Sequence, residues 1–102
     1  MKQIILTLAM TALIATGCQA TGSTTDTFTT KSGKEVKITC IKHASMQIQY
    51  DGLEIQVDPV VSGAQPVTDY TLFPKASIIL VTHEHSDHYD PEAIATLSTP
   101  QT

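Results

Sequence analysis

The stretch Thr82-His83-Glu84-His85-Ser86-Asp87-His88 holds three of the chain's four histidines together with an aspartate. Imidazole nitrogens and a carboxylate oxygen at this density are the donors that zinc-like divalent cations take. In extended backbone, side chains two apart point the same way, so His83 and His85 can reach one ion. Asp87 and His88 come where the chain turns, and can address a second ion beside it. Two ions about 3.5–4 Å apart can share a water and lower its pKa from about 15.7 toward ~7, which is hydrolytic chemistry. Glu84 and Ser86 fall between the donors and are expected to face solvent or brace the loop. The plain alternative is a solvated polar loop whose histidines are coincidental.

The donors follow directly on Ile78-Ile79-Leu80-Val81. From Ser77 to Val81 the chain is apolar and rich in β-branched residues, which predicts a strand covered on both faces. Beyond the donors, Asp90-Pro91-Glu92 reads as helix cap, first-turn proline and an acid favoured by the helix dipole. Ala93, Ile94 and Leu97 continue that helix, which fades at Ser98-Thr99-Pro100. Upstream, order is expected from near Glu35, where Val36, Ile38 and Cys40 alternate with Lys37 and Thr39 in the period of a half-buried strand. Two further alternating runs, Met46 to Tyr50 and Leu53 to Val57, flank Asp51-Gly52, the pair that a type I′ hairpin turn requires. Met46, Ile48 and Tyr50 share one face, as do Leu53, Ile55 and Val57, while the Gln and Glu residues are expected to face water. Asp58-Pro59 ends this strand, since proline cannot donate to a ladder. Val60 to Pro74 reads as loop with at most one helical turn. The pattern is α+β: an antiparallel hairpin system, a buried strand, a metal-type loop and a helix.

The amino terminus reads differently. Lys2 precedes an apolar stretch from Ile4 to Ala15 that is too short to span a bilayer, as in a secretory signal. Ala15-Thr16-Gly17-Cys18 resembles a bacterial lipoprotein lipobox, which implies cleavage before Cys18 and acylation of its thiol; an ordinary signal peptide with an incidental Cys18 is the alternative. Residues 1–17 are thus expected to be a signal peptide. Residues 18–34, rich in Thr, Ser and Gly, are expected to form a lipidated, flexible tether in which Phe28 is the one large apolar residue, with an early strand contact the alternative for it. Residues 35–102 would be the folded part. The expected location is the bacterial cell envelope, anchored to its inner or outer membrane. With Cys18 lipidated, Cys40 has no disulfide partner, and its position beside Val36 and Ile38 reads as a buried, inert thiol, with metal ligation the alternative. Lys and Arg number 6 against 10 Asp and Glu, for a net charge of −4, and no arginine is present. That excludes a basic footprint for nucleic acid and an arginine fork for phosphate.

The motif His-x-His-x-Asp-His after a buried strand resembles the second motif of the metallo-β-lactamase fold superfamily. The resemblance implies that His83 and His85 bind one metal ion, that Asp87 and His88 bind the second, and that Asp87 orients a nucleophilic water. Asp58 matches the superfamily's first motif, whose aspartate braces the metal loop. Ile41-Lys42-His43-Ala44-Ser45, the Asp51-Gly52 hairpin, Val57-Asp58-Pro59 and His85 through Pro91 are similar to the ascorbate-phosphate lactonase-like branch of metal-dependent hydrolases. Members of that branch often carry glycine before the His43 equivalent, and Lys42 departs from this. His43 is either a residue standing behind the metal ligands or an ordinary strand-end histidine.

The resemblance covers about Glu35 to Leu97. It implies the amino-terminal half of a four-layer αββα sandwich, whose later motifs supply another histidine, a bridging aspartate and a final histidine. Two divalent ions are implied, with imidazole richness favouring zinc over manganese, and the substrate would be a small molecule with an ester, lactone or phosphodiester bond. A missing carboxy-terminal half follows from the same comparison. Roughly 65 ordered residues barely offset their chain entropy, so the isolated chain is expected to be marginally stable and catalytically weak. A non-catalytic zinc-binding lipoprotein and an inactive remnant are the competing expectations.

Overall fold

The computed structural model describes residues 24–102. The signal segment 1–17, the lipidation site Cys18 and the start of the expected tether lie outside the described residues. Five strands form one mixed sheet in the order of the chain: β1 (Thr24–Thr29), β2 (Glu35–Lys42), β3 (Ser45–Tyr50), β4 (Leu53–Val57) and β5 (Ile78–Leu80). The first four make an antiparallel meander, and β5 joins β4 in parallel, with Ile55 opposite Ile78 and Val57 opposite Leu80. A parallel pairing demands a long crossover. Residues 58–77 provide it, with one 3₁₀ turn at Tyr70–Leu72. A single helix, α1 (Pro91–Leu97), follows the metal-type loop.

The hairpin forms as its sequence requires. Asp51 and Gly52 have φ of 48° and 81°, positive at both central positions, and Tyr50 stands opposite Leu53. Helix α1 begins at Pro91, with the Asp90 carboxylate accepting from the Glu92 N–H at 2.9 Å. Its Ala93 and Leu97 are fully buried and pack with Ile41, Tyr70 and Ala76, while Val61, Phe73 and Ile79 close the edge of this core. The Ala76 N–H donates to the Leu97 carbonyl at 2.8 Å, which seats the helix at the start of β5. Burying one leucine in this way stabilises by about 1.5–3 kcal/mol.

Four expectations are corrected. Residues 24–29 of the expected tether form strand β1, with Phe28 opposite Val36 and the Thr25 and Thr39 hydroxyls hydrogen-bonded at 2.8 Å. Threonine suits the pleated edge of a sheet, and the neighbouring ladder of β2 overrides its loop-like composition. The Gln and Glu residues do not all face water: Gln47 and Gln56 are buried, on the face that carries Ile79 and lies against α1. There the Glu54 carboxylate accepts from Gln47 Nε2 at 2.8 Å and from Gln49 Nε2, whereas the Gln56 amide lies buried with no hydrogen-bond partner among the described residues. Conversely, β5 is not covered on both faces, with Ile78 41% and Leu80 51% exposed. Cys40 is an exposed free thiol, not a buried one. The last two share one cause. Cys40, Ile48, Ile55, Ile78 and Leu80 lie on the sheet face opposite α1, and among the described residues no element packs on that face.

Candidate metal centre

The site is assembled at the carboxyl end of the parallel pair β4 and β5. Asp58 follows β4 in left-handed backbone (φ 43°), and its N–H donates to the Leu80 carbonyl at 2.9 Å, so the ladder extends to it. Its side chain is 1% exposed. A buried carboxylate is costly unless its oxygens are satisfied. Here Oδ1 accepts from the Thr82 N–H at 2.7 Å, and Oδ2 accepts from the Thr82 hydroxyl at 2.6 Å and from His88 Nδ1 at 2.8 Å. Burial alone would push this carboxyl upward. The hydrogen bonds from Thr82 and His88 outweigh that and hold it below the ordinary aspartate value.

These bonds decide which imidazole nitrogens stay free. Donation from His88 Nδ1 to Asp58 leaves the Nε2 lone pair outward. His83 Nδ1 lies 3.1 Å from the Thr82 hydroxyl, whose own proton goes to Asp58, so His83 donates at Nδ1 and keeps Nε2 free as well. One buried aspartate and one threonine thus orient two histidines, the arrangement by which proteins present neutral imidazoles to metals. Thr82 was not singled out by its sequence; its position directly between a buried strand and the first histidine was the available signal.

The loop then turns. The His85 carbonyl accepts from the N–H groups of His88 at 2.9 Å and Tyr89 at 2.8 Å, which swings His88 back over Asp58. His83 Nε2 and His85 Nδ1 come within 3.2 Å, and Asp87 joins them with all three donor atoms inside 4.8 Å of one another. Asp87 belongs also to a second group, with His43 and His88. His43 stands in the tight turn between β2 and β3, and its Nε2 is 3.0 Å from Asp87 Oδ2 and 3.3 Å from His88 Nε2. A tetrahedral cation with bonds of 2.0–2.1 Å separates its ligand atoms by about 3.3 Å. The donor set therefore fits divalent cations in chemistry and in spacing. Burial nudges the Asp87 carboxyl upward, but its own backbone N–H and the nearby imidazoles of His88 and His43 draw it below the ordinary value, so it stands ionised. Glu84 and Ser86 are exposed.

The crossover loop backs this loop from behind, through residues that sequence reasoning missed or left unexplained. Lys42, the departure noted above, is buried, and its ammonium donates to the carbonyls of Val61 (2.5 Å), Ala64 (3.0 Å) and Pro66 (2.9 Å). Desolvation lowers its pKa, while the Asp90 charge works the other way. Between those carbonyls lies Gly63, where a Cβ would stand 2.8 Å from the Ser86 carbonyl oxygen and 3.1 Å from Asp87 Cα. Asp90 caps α1 through Oδ1 and accepts from the Val61 N–H at 2.8 Å through Oδ2. The Tyr70 hydroxyl accepts from the Val60 N–H at 3.2 Å, and burial pushes its pKa upward.

Comparison with known proteins gives a consistent picture. A family model described as a beta-lactamase superfamily domain matches residues 37–100. A UPF0173 metal-dependent hydrolase of Flavobacterium johnsoniae is 45% identical over 64 residues, covering 59% of this chain and 28% of the relative. A second, from Methanopyrus kandleri, is 32% identical over 53 residues, covering 52% and 23% respectively. The crystal structure of a protein assigned as a metal-dependent hydrolase from Parabacteroides distasonis superposes with a TM-score of 0.72 at 54% identity, over 78% of this chain and 34% of that one. The chain thus spans 23–34% of the length of the proteins it matches.

Proposed function

Because the chain belongs to the beta-lactamase superfamily domain family, we propose that it forms the cation-binding amino-terminal part of a metal-dependent hydrolase acting on an ester, lactone or phosphodiester bond. The observation that carries this reading is the convergence of His83, His85, Asp87 and His88 above a buried Asp58, whose 2.8 Å bond to His88 keeps the outer imidazole nitrogen free. His83 and His85 hold one cation, and Asp87 and His88 hold the second. When bound, such ions acidify a water molecule and polarise the bond under attack. Asp87 orients that water through its carboxylate, and Asp58 with Thr82 keeps the histidines in the required tautomer. Imidazole-rich ligation favours zinc, with manganese compatible.

The ascorbate-phosphate lactonase-like branch is the closer assignment we favour, supported by Ile41 through Ser45 and His85 through Pro91. Two catalytic cations take more ligands than one motif supplies, and we assign the remainder to a carboxy-terminal half, for which the greater length of the matched proteins leaves room. For residues 1–18 we propose export to the cell envelope and lipid anchoring at Cys18, supported by the Ala15-Thr16-Gly17-Cys18 sequence.

The test is metal analysis of the purified chain after equilibration with Zn²⁺ or Mn²⁺. Bound cation in the wild type, lost in His83→Ala and in Asp87→Ala, is the expected result. A wild-type chain that retains no cation overturns the reading. Hydrolysis of a lactone, an aryl ester and a bis-aryl phosphodiester by the chain joined to a complementary half then assigns the bond.

A further inference from the structure

Resting on that cation-binding reading, we propose that His43 is itself a metal ligand, joining Asp87 and His88 around the second cation. The three donor atoms already stand as they would around one ion. His43 Nε2 is 3.3 Å from His88 Nε2 and 3.0 Å from Asp87 Oδ2, and His88 Nε2 is 3.8 Å from that same oxygen. Adjacent ligands of a tetrahedral zinc-like ion stand about 3.3 Å apart. The nitrogen that His88 offers is a lone pair, because its Nδ1 proton is committed to Asp58 at 2.8 Å. His43 arrives from a different element, far away in sequence, and lands on the open side of the pair.

The turn that delivers it is built for the purpose. His43 has φ of 45°, a left-handed conformation uncommon outside glycine, in which asparagine, aspartate and histidine are the side chains most often found. Strain of this kind persists where the surroundings hold it, and here they do. Lys42, immediately before it, is pinned by three carbonyls of the crossover loop. Ser45, just after it, donates its hydroxyl to the Asp58 carbonyl at 2.6 Å. The register of β2 against β3 shifts between Cys40 and Lys42, and Lys42 pairs with Ser45 to close the turn. Both flanks are therefore tied to segments that carry or support the metal loop, which fixes the imidazole relative to Asp87.

The experiment loads the full chain, labelled with ¹⁵N at histidine, with ¹¹³Cd²⁺ and reads scalar coupling between the metal and each imidazole nitrogen. Coupling at His43 Nε2 beside that at His88 Nε2 is expected. Replacement His43→Gly, which accepts the left-handed turn, is expected to weaken the second cation by more than the ~10–100-fold that losing an outer hydrogen-bond partner costs. Coupling at His83, His85 and His88 without coupling at His43 overturns the proposal and leaves the cation-binding reading standing. A wild-type chain that binds no cadmium overturns both. The wild-type measurement decides the matter even if the glycine variant does not fold.

Discussion

Gly63→Ala tests whether the crossover loop sets the position of the metal loop. Gly63 is demanded by space rather than by a left-handed backbone. A methyl group there would sit 2.7 Å from Val60 Cγ1, 2.8 Å from the Ser86 carbonyl oxygen and 3.1 Å from Asp87 Cα. Non-bonded carbons prefer about 3.5–4.0 Å. Val60 is 1% exposed and cannot step aside into solvent, so the strain falls on the Ser86–Asp87 backbone. Restoring ordinary contact requires a displacement of roughly 0.5 Å, the limit within which a binding constellation must be held. Overpacking of this kind costs about 1–3 kcal/mol. In a domain this small each kcal/mol lowers Tm by roughly 4–8 °C. Because Asp87 belongs to both donor groups, the shift should weaken both cations, by about 10–100-fold, the range seen when the support of a ligand is lost. Gly33→Ala is the control: its site is open, its φ is 84°, and it should lower Tm while leaving cation affinity alone. Thermal unfolding and Zn²⁺ competition titrations measure the two effects separately. A Gly63→Ala chain with wild-type affinity and melting temperature would refute the reasoning.

Two other consequences follow from buried charges around the same loop. The folded pKa of Asp58 lies below its unfolded value of about 3.9, so its contribution to stability is present above that pH and is lost as pH falls through the folded value. In the cation-free chain, Asp58→Asn should therefore flatten the acid side of the stability profile and lower stability at neutral pH, measured by urea unfolding between about pH 5 and 2. Lys42→Met should cost about 1–3 kcal/mol, since it leaves the carbonyls of Val61, Ala64 and Pro66 without their donor, and amide exchange should speed up at Val61 and Thr68. Unchanged exchange at those amides would mean that the ammonium does not hold the crossover loop.

Local chemistry was legible in the sequence wherever neighbours in the chain decide it. The Asp51-Gly52 turn, the Asp90 cap with Pro91 and the end of β4 at Asp58-Pro59 all depend on backbone preferences within a few residues, whereas the position of the one helical turn, at Tyr70–Leu72, was not read. The clustering of His83, His85, Asp87 and His88 was legible for the same reason, because extended backbone followed by a turn brings near neighbours together. Burial was not legible. Alternation tells which residues share a face, but not which face another element covers. Gln47 and Gln56 therefore lie buried, while Cys40, Ile78 and Leu80 remain open. Threonine-rich residues 24–29 became a strand only because β2 offers them a ladder.

The donor types, their spacing and the cation-binding chemistry they point to were properties of the chain itself, since they need only residue chemistry and a few bonds of backbone geometry. Tertiary structure alone decided that Asp58 reaches Thr82 and His88, that Lys42 grips the crossover loop, and that His43 comes within 3.0 Å of Asp87. Those contacts join residues far apart in sequence, and no periodicity encodes them. They exist because the parallel crossover from β4 to β5 and the antiparallel β2–β3 turn meet at one end of the sheet.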